Sequence, residues 1–113
     1  MIHQIGFKYA LQGIKYAFFT QPNFKVHSLF ALLALLLAWW LHLNQLEWLV
    51  LLLTISLVIV TEMINTAIES MTDLIEEKYH QKAKIAKDVS AGMVLLASTL
   101  SVIIGLILFI PKI

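Results

Sequence analysis

Four polar side chains recur along one otherwise apolar stretch of the sequence, at Glu62, Asn65, Glu69 and Asp73. At about 100° per residue, these positions lie within about 80° of one another on a helix. Lipid disfavours such groups, so we expect them to face a protein interior or a watery cavity. Carboxylates in that setting could act as a general base, ligate a hard cation or relay protons.

Glu62 is the candidate base because of its expected depth. It follows Trp48 by 14 residues, which is about 21 Å along a helix and places it inside a hydrocarbon core of about 30 Å. A carboxyl group that only hydrogen-bonds Asn65 or a neighbouring helix is the structural alternative. Glu69 lies about two turns further, where it could ligate Mg²⁺ or be a solvated helix end. Asp73 could be solvated or could bond a loop.

A second group of polar residues, Lys87 and Asp88, is predicted to open the last helix on the same side of the membrane. A lysine near a helix N-terminus favours an anionic ligand. The alternative is that Asp88 caps the helix while Lys87 extends its charge to the membrane surface. In the preceding loop, Tyr79 and His80 could contact a nucleotide or be ordinary loop residues.

The composition indicates a membrane protein. Of 113 residues, 60% are hydrophobic and 13% are charged, whereas soluble domains are roughly 45–50% apolar and about 25% charged. The net charge of +1 argues against a nucleic-acid partner. Because the chain has no cysteine, it has no disulfide, thiolate zinc site or cysteine nucleophile. No nucleotide-binding glycine loop, protein-kinase motif or HExxH zinc motif occurs.

Helical periodicity predicts an all-α integral membrane domain over residues 1–113. Lysines and aromatics on opposite faces predict an amphipathic surface helix at about 7–19. Three transmembrane helices are expected at about 25–42, 48–75 and 86–110. The first long apolar run follows a polar, amphipathic stretch, so we expect no cleaved signal peptide.

The distribution of lysines predicts the orientation. Lysines precede the first span and cluster between the second and third spans, whereas the turn at 42–47 has none. The N-terminus and the 76–88 loop are therefore expected in the cytoplasm.

The third span carries small residues at a seven-residue spacing, namely Ala91, Ser98 and Gly105. Small residues at such a spacing let helices approach closely in lipid. Three helices in one chain are expected to cover the polar stripe poorly, which favours an oligomer.

The polar pattern resembles a known family. The run Glu62-x-x-Asn65-x-x-x-Glu69-x-x-x-Asp73, followed by Tyr79-His80 and Ala86-Lys87-Asp88, is similar to that of the prokaryotic diacylglycerol kinases, which include undecaprenol kinases. Residues 23–27 resemble the start of the family's first span, and the C-terminal tail resembles the undecaprenol kinase branch. The resemblance implies a homotrimer in the bacterial cytoplasmic (inner) membrane. It also implies Mg²⁺-dependent phosphoryl transfer from ATP to the primary hydroxyl of diacylglycerol or undecaprenol.

The resemblance also implies roles for individual residues. Glu62 matches the catalytic base, and Glu69 matches a ligand of metal and nucleotide. The family often has a second metal-binding glutamate where this chain has Gln21, whose amide brings no charge. The other positions matching the nucleotide site are Tyr9, Gln21, Tyr79, His80, Lys87 and Asp88, and those matching the lipid-substrate site are Asn23, Lys25, Glu62, Asn65 and Ala91.

A non-enzymatic function stays open from the residues alone. A small membrane oligomer could use the carboxylate stripe as an ion or proton relay. Such a relay needs polar groups that continue across the membrane. Residues 49–60 offer only Thr54 and Ser56, which favours a site confined to one side.

Overall fold

The computed structural model describes residues 2–75 and 81–113, with side chains from residue 6 onward. Tyr79 and His80, both expected near a nucleotide, lie outside the described residues. The described chain is helical and contains no strand. Its elements are α1 (Ile2–Thr20), α2 (Pro22–Trp40), α3 (Gln45–Ile75), α4 (Gln81–Phe109) and a terminal 3₁₀ turn (Ile110–Lys112).

Three of these helices are long and apolar enough to cross a membrane, namely α2, α3 and the segment Gln81–Lys112. Their outer faces carry large apolar side chains, such as Leu53, which is 69% exposed, and Ile107, which is 70% exposed. Water would disfavour so continuous an apolar surface, whereas lipid tails solvate it. These features are those of an integral membrane protein.

The start of α4 differs from the predicted one. The helix begins at Gln81 rather than near residue 86, so residues 81–85 are helical instead of belonging to the charged loop. Glutamine, lysine and alanine all favour helix. Hydropathy alone marks only the apolar part of such a helix and misses a polar first turn.

The turn between α2 and α3 fixes their antiparallel arrangement. His42 adopts a left-handed backbone conformation, with φ of 56°. The N–H of His42 donates to Trp39 O at 3.4 Å and the N–H of Leu43 donates to Ala38 O at 3.3 Å. This is the Schellman arrangement that ends helices, and it stops α2 at Trp40 rather than residue 42.

A reciprocal cap starts α3. The N–H of Glu47 donates to Asn44 Oδ1 at 2.9 Å, and the N–H of Asn44 donates to Glu47 Oε1 at 3.0 Å. Lys112 Nζ lies 3.0 Å from the same Glu47 oxygen. The end of the chain is thereby held at the α2–α3 turn, beside a small core around Ala38, Leu43 and Leu51.

The antiparallel course of α2, α3 and α4 brings Gln21, Ile75 and Gln81 to the opposite end, which we call the polar end. Here α1 packs against α2 and α3, and α3 packs along α4. The predicted functional residues of α3 and α4 lie toward this end.

The buried positions of α4 lie one residue away from the predicted stripe of small residues. Ser90 and Ala97 are buried within the single chain. Ala91 is exposed, and a Cβ added at Gly105 would meet no atom within 4 Å. Packing within one chain therefore uses the neighbouring face of α4 and leaves the 91/98/105 stripe uncovered or in a groove.

Candidate functional site

Glu62 is buried inside the single chain. Its exposed fraction is 3%, although three helices had been expected to cover the polar stripe poorly. Thr61 and Thr66 are buried beside it, and their hydroxyls donate to Val58 O and Glu62 O, each at 2.9 Å. These threonines are satisfied within α3, so they leave the Glu62 carboxylate free for a partner on another helix.

That partner is His27 of α2. Its Nε2 atom lies 3.0 Å from Glu62 Oε1, and its side chain is 25% exposed. The distance is that of an ion pair, but the geometry is not that of an aligned hydrogen bond, because Oε1 has no hydrogen-bond partner among the described residues. The carboxylate therefore keeps capacity to accept a proton while an imidazole holds its position.

The sequence pattern alone does not place His27 in the site. A histidine in the first turns of an apolar helix is a visible signal, but only the register of α2 against α3 shows that it faces Glu62.

Asn65 and Glu69 form the next part of the site toward the polar end. Asn65 Nδ2 donates to Glu69 Oε1 at 3.1 Å across one helical turn. From α4, the hydroxyl of Ser90 donates to Asn65 Oδ1 at 2.7 Å. Ser90 is 1% exposed, whereas Asn65 and Glu69 are half-buried. A polar network thus runs from buried Ser90 to the half-buried carboxylate of Glu69. The sequence pattern alone does not place Ser90 in this network.

Lys87 and Asp73 form an ion pair between α4 and the end of α3. Asp73 is exposed, as one of its two predicted alternatives has it, and its partner lies on a helix rather than in a loop. Both side chains are substantially exposed, at 42% and 65%, and exposed pairs of this kind contribute only about 0–1 kcal/mol. An anionic ligand could take Lys87 from Asp73 at little cost.

The predicted position of Lys87 and Asp88 at the start of the last helix is wrong. Because α4 begins at Gln81, both residues lie inside the helix, where Asp88 is not an N-cap. Asp88 instead pairs with Lys84 at 2.5 Å. Lys87 can attract an anion by its own charge, but the helix N-terminus does not assist it.

Gln21 lies at the junction of α1 and α2. It occupies the N-cap position of α2 but does not cap the helix with its side chain. Its Nε2 atom lies 3.4 Å from Thr20 Oγ1. Both Gln21 and Glu69 are described, and no hydrogen bond joins them. The remaining predicted residues are exposed in the single chain, namely Tyr9, Asn23, Lys25, Ala91 and Asp88.

The donor set fits a metal ion that arrives with phosphates. No group of three or more histidine, aspartate or glutamate side chains in the described ranges could hold a metal by itself. Mg²⁺ often takes only one or two protein carboxylates and fills its other positions with water and phosphate oxygens. The Glu69 carboxylate, with the Asn65 amide beside it, meets this limited requirement.

His27 also lines an apolar groove. A cavity of about 360 Å³ lies between α2, α3 and α4, and its lining includes His27, Phe30, Val58 and Gly105. Because His27 also contacts Glu62, one imidazole borders both the buried carboxylate and the groove. The arrangement could place an apolar chain along the helices with a polar head beside Glu62.

The chain is similar to known proteins over most of its length. The family described as prokaryotic diacylglycerol kinase matches residues 8–109. A diacylglycerol kinase of Synechocystis sp. is 45% identical over 108 residues, which are 95% of this chain. The chain spans 62% of the length of that relative.

Two further relatives match over most of their length. An undecaprenol kinase of Bacillus subtilis is 39% identical over 95% of this chain and 87% of its own length. A diacylglycerol kinase of Escherichia coli is 32% identical over 88% of this chain and 82% of its own. On this similarity, the chain belongs to the prokaryotic diacylglycerol kinase family, a family of lipid kinases.

Proposed function

We propose that this protein phosphorylates the primary hydroxyl of a membrane lipid alcohol, with ATP as the phosphoryl donor. The observation that carries the proposal is a buried carboxylate, Glu62, that lies 3.0 Å from His27, a residue that lines an apolar groove. In this proposal the lipid chain lies in the groove and its hydroxyl approaches Glu62 beside His27. A soluble nucleotide can reach Glu69 and Lys87, which lie toward the polar end of the same helices.

In the proposed reaction, Glu62 accepts the proton of the lipid hydroxyl. The lipid oxygen forms a bond to the γ-phosphorus of ATP as the bond to the β-phosphate oxygen breaks, and ADP leaves. His27 holds the carboxylate in place through the 3.0 Å contact. Positioning and charge neutralisation supply most of the acceleration in reactions of this class.

The nucleotide is held by Lys87 and Glu69. Lys87 exchanges its exposed pairing with Asp73 for the phosphates. Glu69, with Asn65 beside it, would hold Mg²⁺. Bound Mg²⁺ would neutralise charge on the transferring phosphoryl group.

The names of the relatives supply two candidate lipids, diacylglycerol and undecaprenol. Both present a primary hydroxyl on a long apolar body, which suits a groove with a mainly apolar lining. Diacylglycerol and undecaprenol are therefore both proposed substrates.

The proposal also includes the assembly and its orientation. We place the N-terminus and the polar end in the bacterial cytoplasm, where ATP is available, and α1 along the membrane surface. The lysine distribution supports this orientation. A homotrimer, implied by the family resemblance, would cover polar groups such as Asn23 and Lys25 that one chain leaves exposed.

The relay function has less support. Residues 49–60 of α3 contain two polar residues, Thr54 and Ser56. The Thr54 hydroxyl donates to Val50 O of its own helix at 2.7 Å. A hydroxyl engaged in this way does not extend a polar path beyond Glu62.

The test is transfer of label from γ-labelled ATP to a panel of lipid alcohols, using the purified protein in detergent or bilayers. The panel includes diacylglycerol, undecaprenol and a soluble alcohol as control. Label in a lipid product, absent with the Glu62→Gln variant, is the expected result. If the folded protein labelled no lipid in detergent and none in bilayers, the proposal would be contradicted.

A further inference from the structure

The hydroxyl of Ser90 faces two acceptors. Its oxygen lies 2.7 Å from Asn65 Oδ1 and 3.0 Å from the carbonyl oxygen of Lys87. A serine hydroxyl carries one proton, so it can donate fully to only one of them. The Lys87 carbonyl lies inside α4, where a backbone N–H ordinarily satisfies it. The Ser90 hydroxyl can therefore donate either to Asn65 Oδ1 or to the carbonyl oxygen of Lys87.

The amide of Asn65 can exchange its two ends. Rotation by about 180° about the last side-chain bond swaps the oxygen and nitrogen positions with little movement of other atoms. After this exchange Nδ2 would donate to Ser90 Oγ, and the Ser90 hydroxyl would turn to Lys87 O, which is already in reach. Both orientations keep the buried serine hydrogen-bonded, so the exchange carries little cost at this position.

The exchange changes which atom of the Asn65 amide faces the Glu69 carboxylate. The Asn65 atom now 3.1 Å from Glu69 Oε1 is a donor nitrogen, and the exchange replaces it with an acceptor oxygen. Two such oxygens repel each other unless a cation joins them. Adjacent oxygen ligands of octahedral Mg²⁺, at roughly 2.0–2.1 Å from the ion, are about 2.9 Å apart. The present 3.1 Å spacing is that of an ordinary hydrogen bond, and it is close enough to this value that a cation could join the two oxygens without a change in α3.

We infer that Asn65 is a ligand of the metal ion together with Glu69, and that buried Ser90 permits this by accepting the exchanged amide. The inference rests on the proposed Mg²⁺-dependent function. It gives the site a second protein oxygen in a chain where Gln21 brings no charge. Ser90 is the positioning residue, and Asn65 is the ligand.

Pulsed electron paramagnetic resonance tests the ligation directly. The probe is Mn²⁺ with a non-hydrolysable ATP analogue, bound to the full chain carrying ¹³C-labelled asparagine. Coordination through the Asn65 carbonyl should give a resolved ¹³C coupling to Mn²⁺. The chain has three asparagines, so the coupling should vanish in Asn65→Leu and persist in Asn23→Ser.

Binding measurements supply the second readout. Asn65→Leu and Ser90→Ala should each weaken Mn²⁺ binding by roughly tenfold, since groups that ligate a metal or orient its ligands typically contribute at least that much. Asn65→Asp, which keeps an oxygen and adds a charge, should bind Mn²⁺ more tightly than the native chain. Ser98→Ala is the matched control, because Ser98 lies on α4 in the groove and not beside Asn65.

A native protein that binds Mn²⁺ without coupling to Asn65, or an Asn65→Leu variant with native affinity, would overturn the inference. Lipid phosphorylation could still occur in that case, so the proposed function would survive. Absence of any Mn²⁺ binding would contradict both the inference and the metal requirement.

Discussion

His27 Nε2 and Glu62 Oε1 lie 3.0 Å apart across the interface of α2 and α3. The glutamate is 97% removed from solvent, since its exposed fraction is 3%. His27 also lines the neighbouring groove, and an imidazole combines a polar tip with an apolar body. The pair therefore links the candidate base to the space proposed for the lipid.

Glu62→Gln should abolish most of the kinase activity. The amide keeps the size of the side chain but cannot accept the hydroxyl proton, and general base catalysis typically contributes roughly 10²–10⁴-fold. We expect kcat to fall by that range while the KM for ATP changes little. Near-native turnover by a folded variant would mean that another group removes the proton.

His27→Ala should lower kcat by roughly 10–100-fold, because a displaced catalytic group loses alignment with the lipid hydroxyl. His27→Gln retains a polar contact with Glu62 and should recover part of that loss. The KM for ATP should stay unchanged in both variants, since the nucleotide lies at the polar end. Equal losses in the two variants, or a loss expressed only in the KM for ATP, would argue against a positioning role.

Gln21→Glu should lower the Mg²⁺ concentration that gives half-maximal activity. A carboxylate added near the metal contributes a full charge, and a gain of about 1.4 kcal/mol corresponds to tenfold in affinity. The measurement is a Mg²⁺ titration of lipid phosphorylation at fixed ATP. An unchanged titration curve would show that position 21 does not contact the metal in this chain.

Lys87→Gln should raise the KM for ATP roughly tenfold, as expected for loss of a charge-assisted hydrogen bond to phosphate. Asp73→Asn removes the carboxylate that competes for Lys87 and should not raise this KM. Lys112→Gln makes the same charge change at the opposite end, beside Glu47, and is the matched control. If Lys112→Gln raised the KM for ATP as much as Lys87→Gln does, Lys87 would act only through the net charge of the protein.

Asn44→Ala should destabilise the fold without changing the site. It removes one side of the reciprocal cap with Glu47, which typically costs about 1 kcal/mol. The expected result is a lower thermal unfolding midpoint in detergent, with native activity per folded molecule. Gln45→Ala, at the first residue of α3, should have a smaller effect.

The sequence determined the features that depend on short spacing along the chain. Runs of apolar residues showed three possible spans, and the period of the helix put Glu62, Asn65 and Glu69 on one stripe. The residue pattern also pointed to the family that the comparisons then established. These inferences succeed because hydropathy and helical phase are local properties of the chain.

Only the tertiary structure decided which residues face one another across helices. His27 meets Glu62, Ser90 meets Asn65, and Lys87 meets Asp73, in pairs that are 35, 25 and 14 residues apart. Their contacts depend on where α2 and α4 lie along α3. The left-handed turn at His42 joins α2 to α3, and α4 packs along α3. Periodicity gives the face of each helix, but the axial register between helices arises from packing and turn geometry, which no single helix encodes.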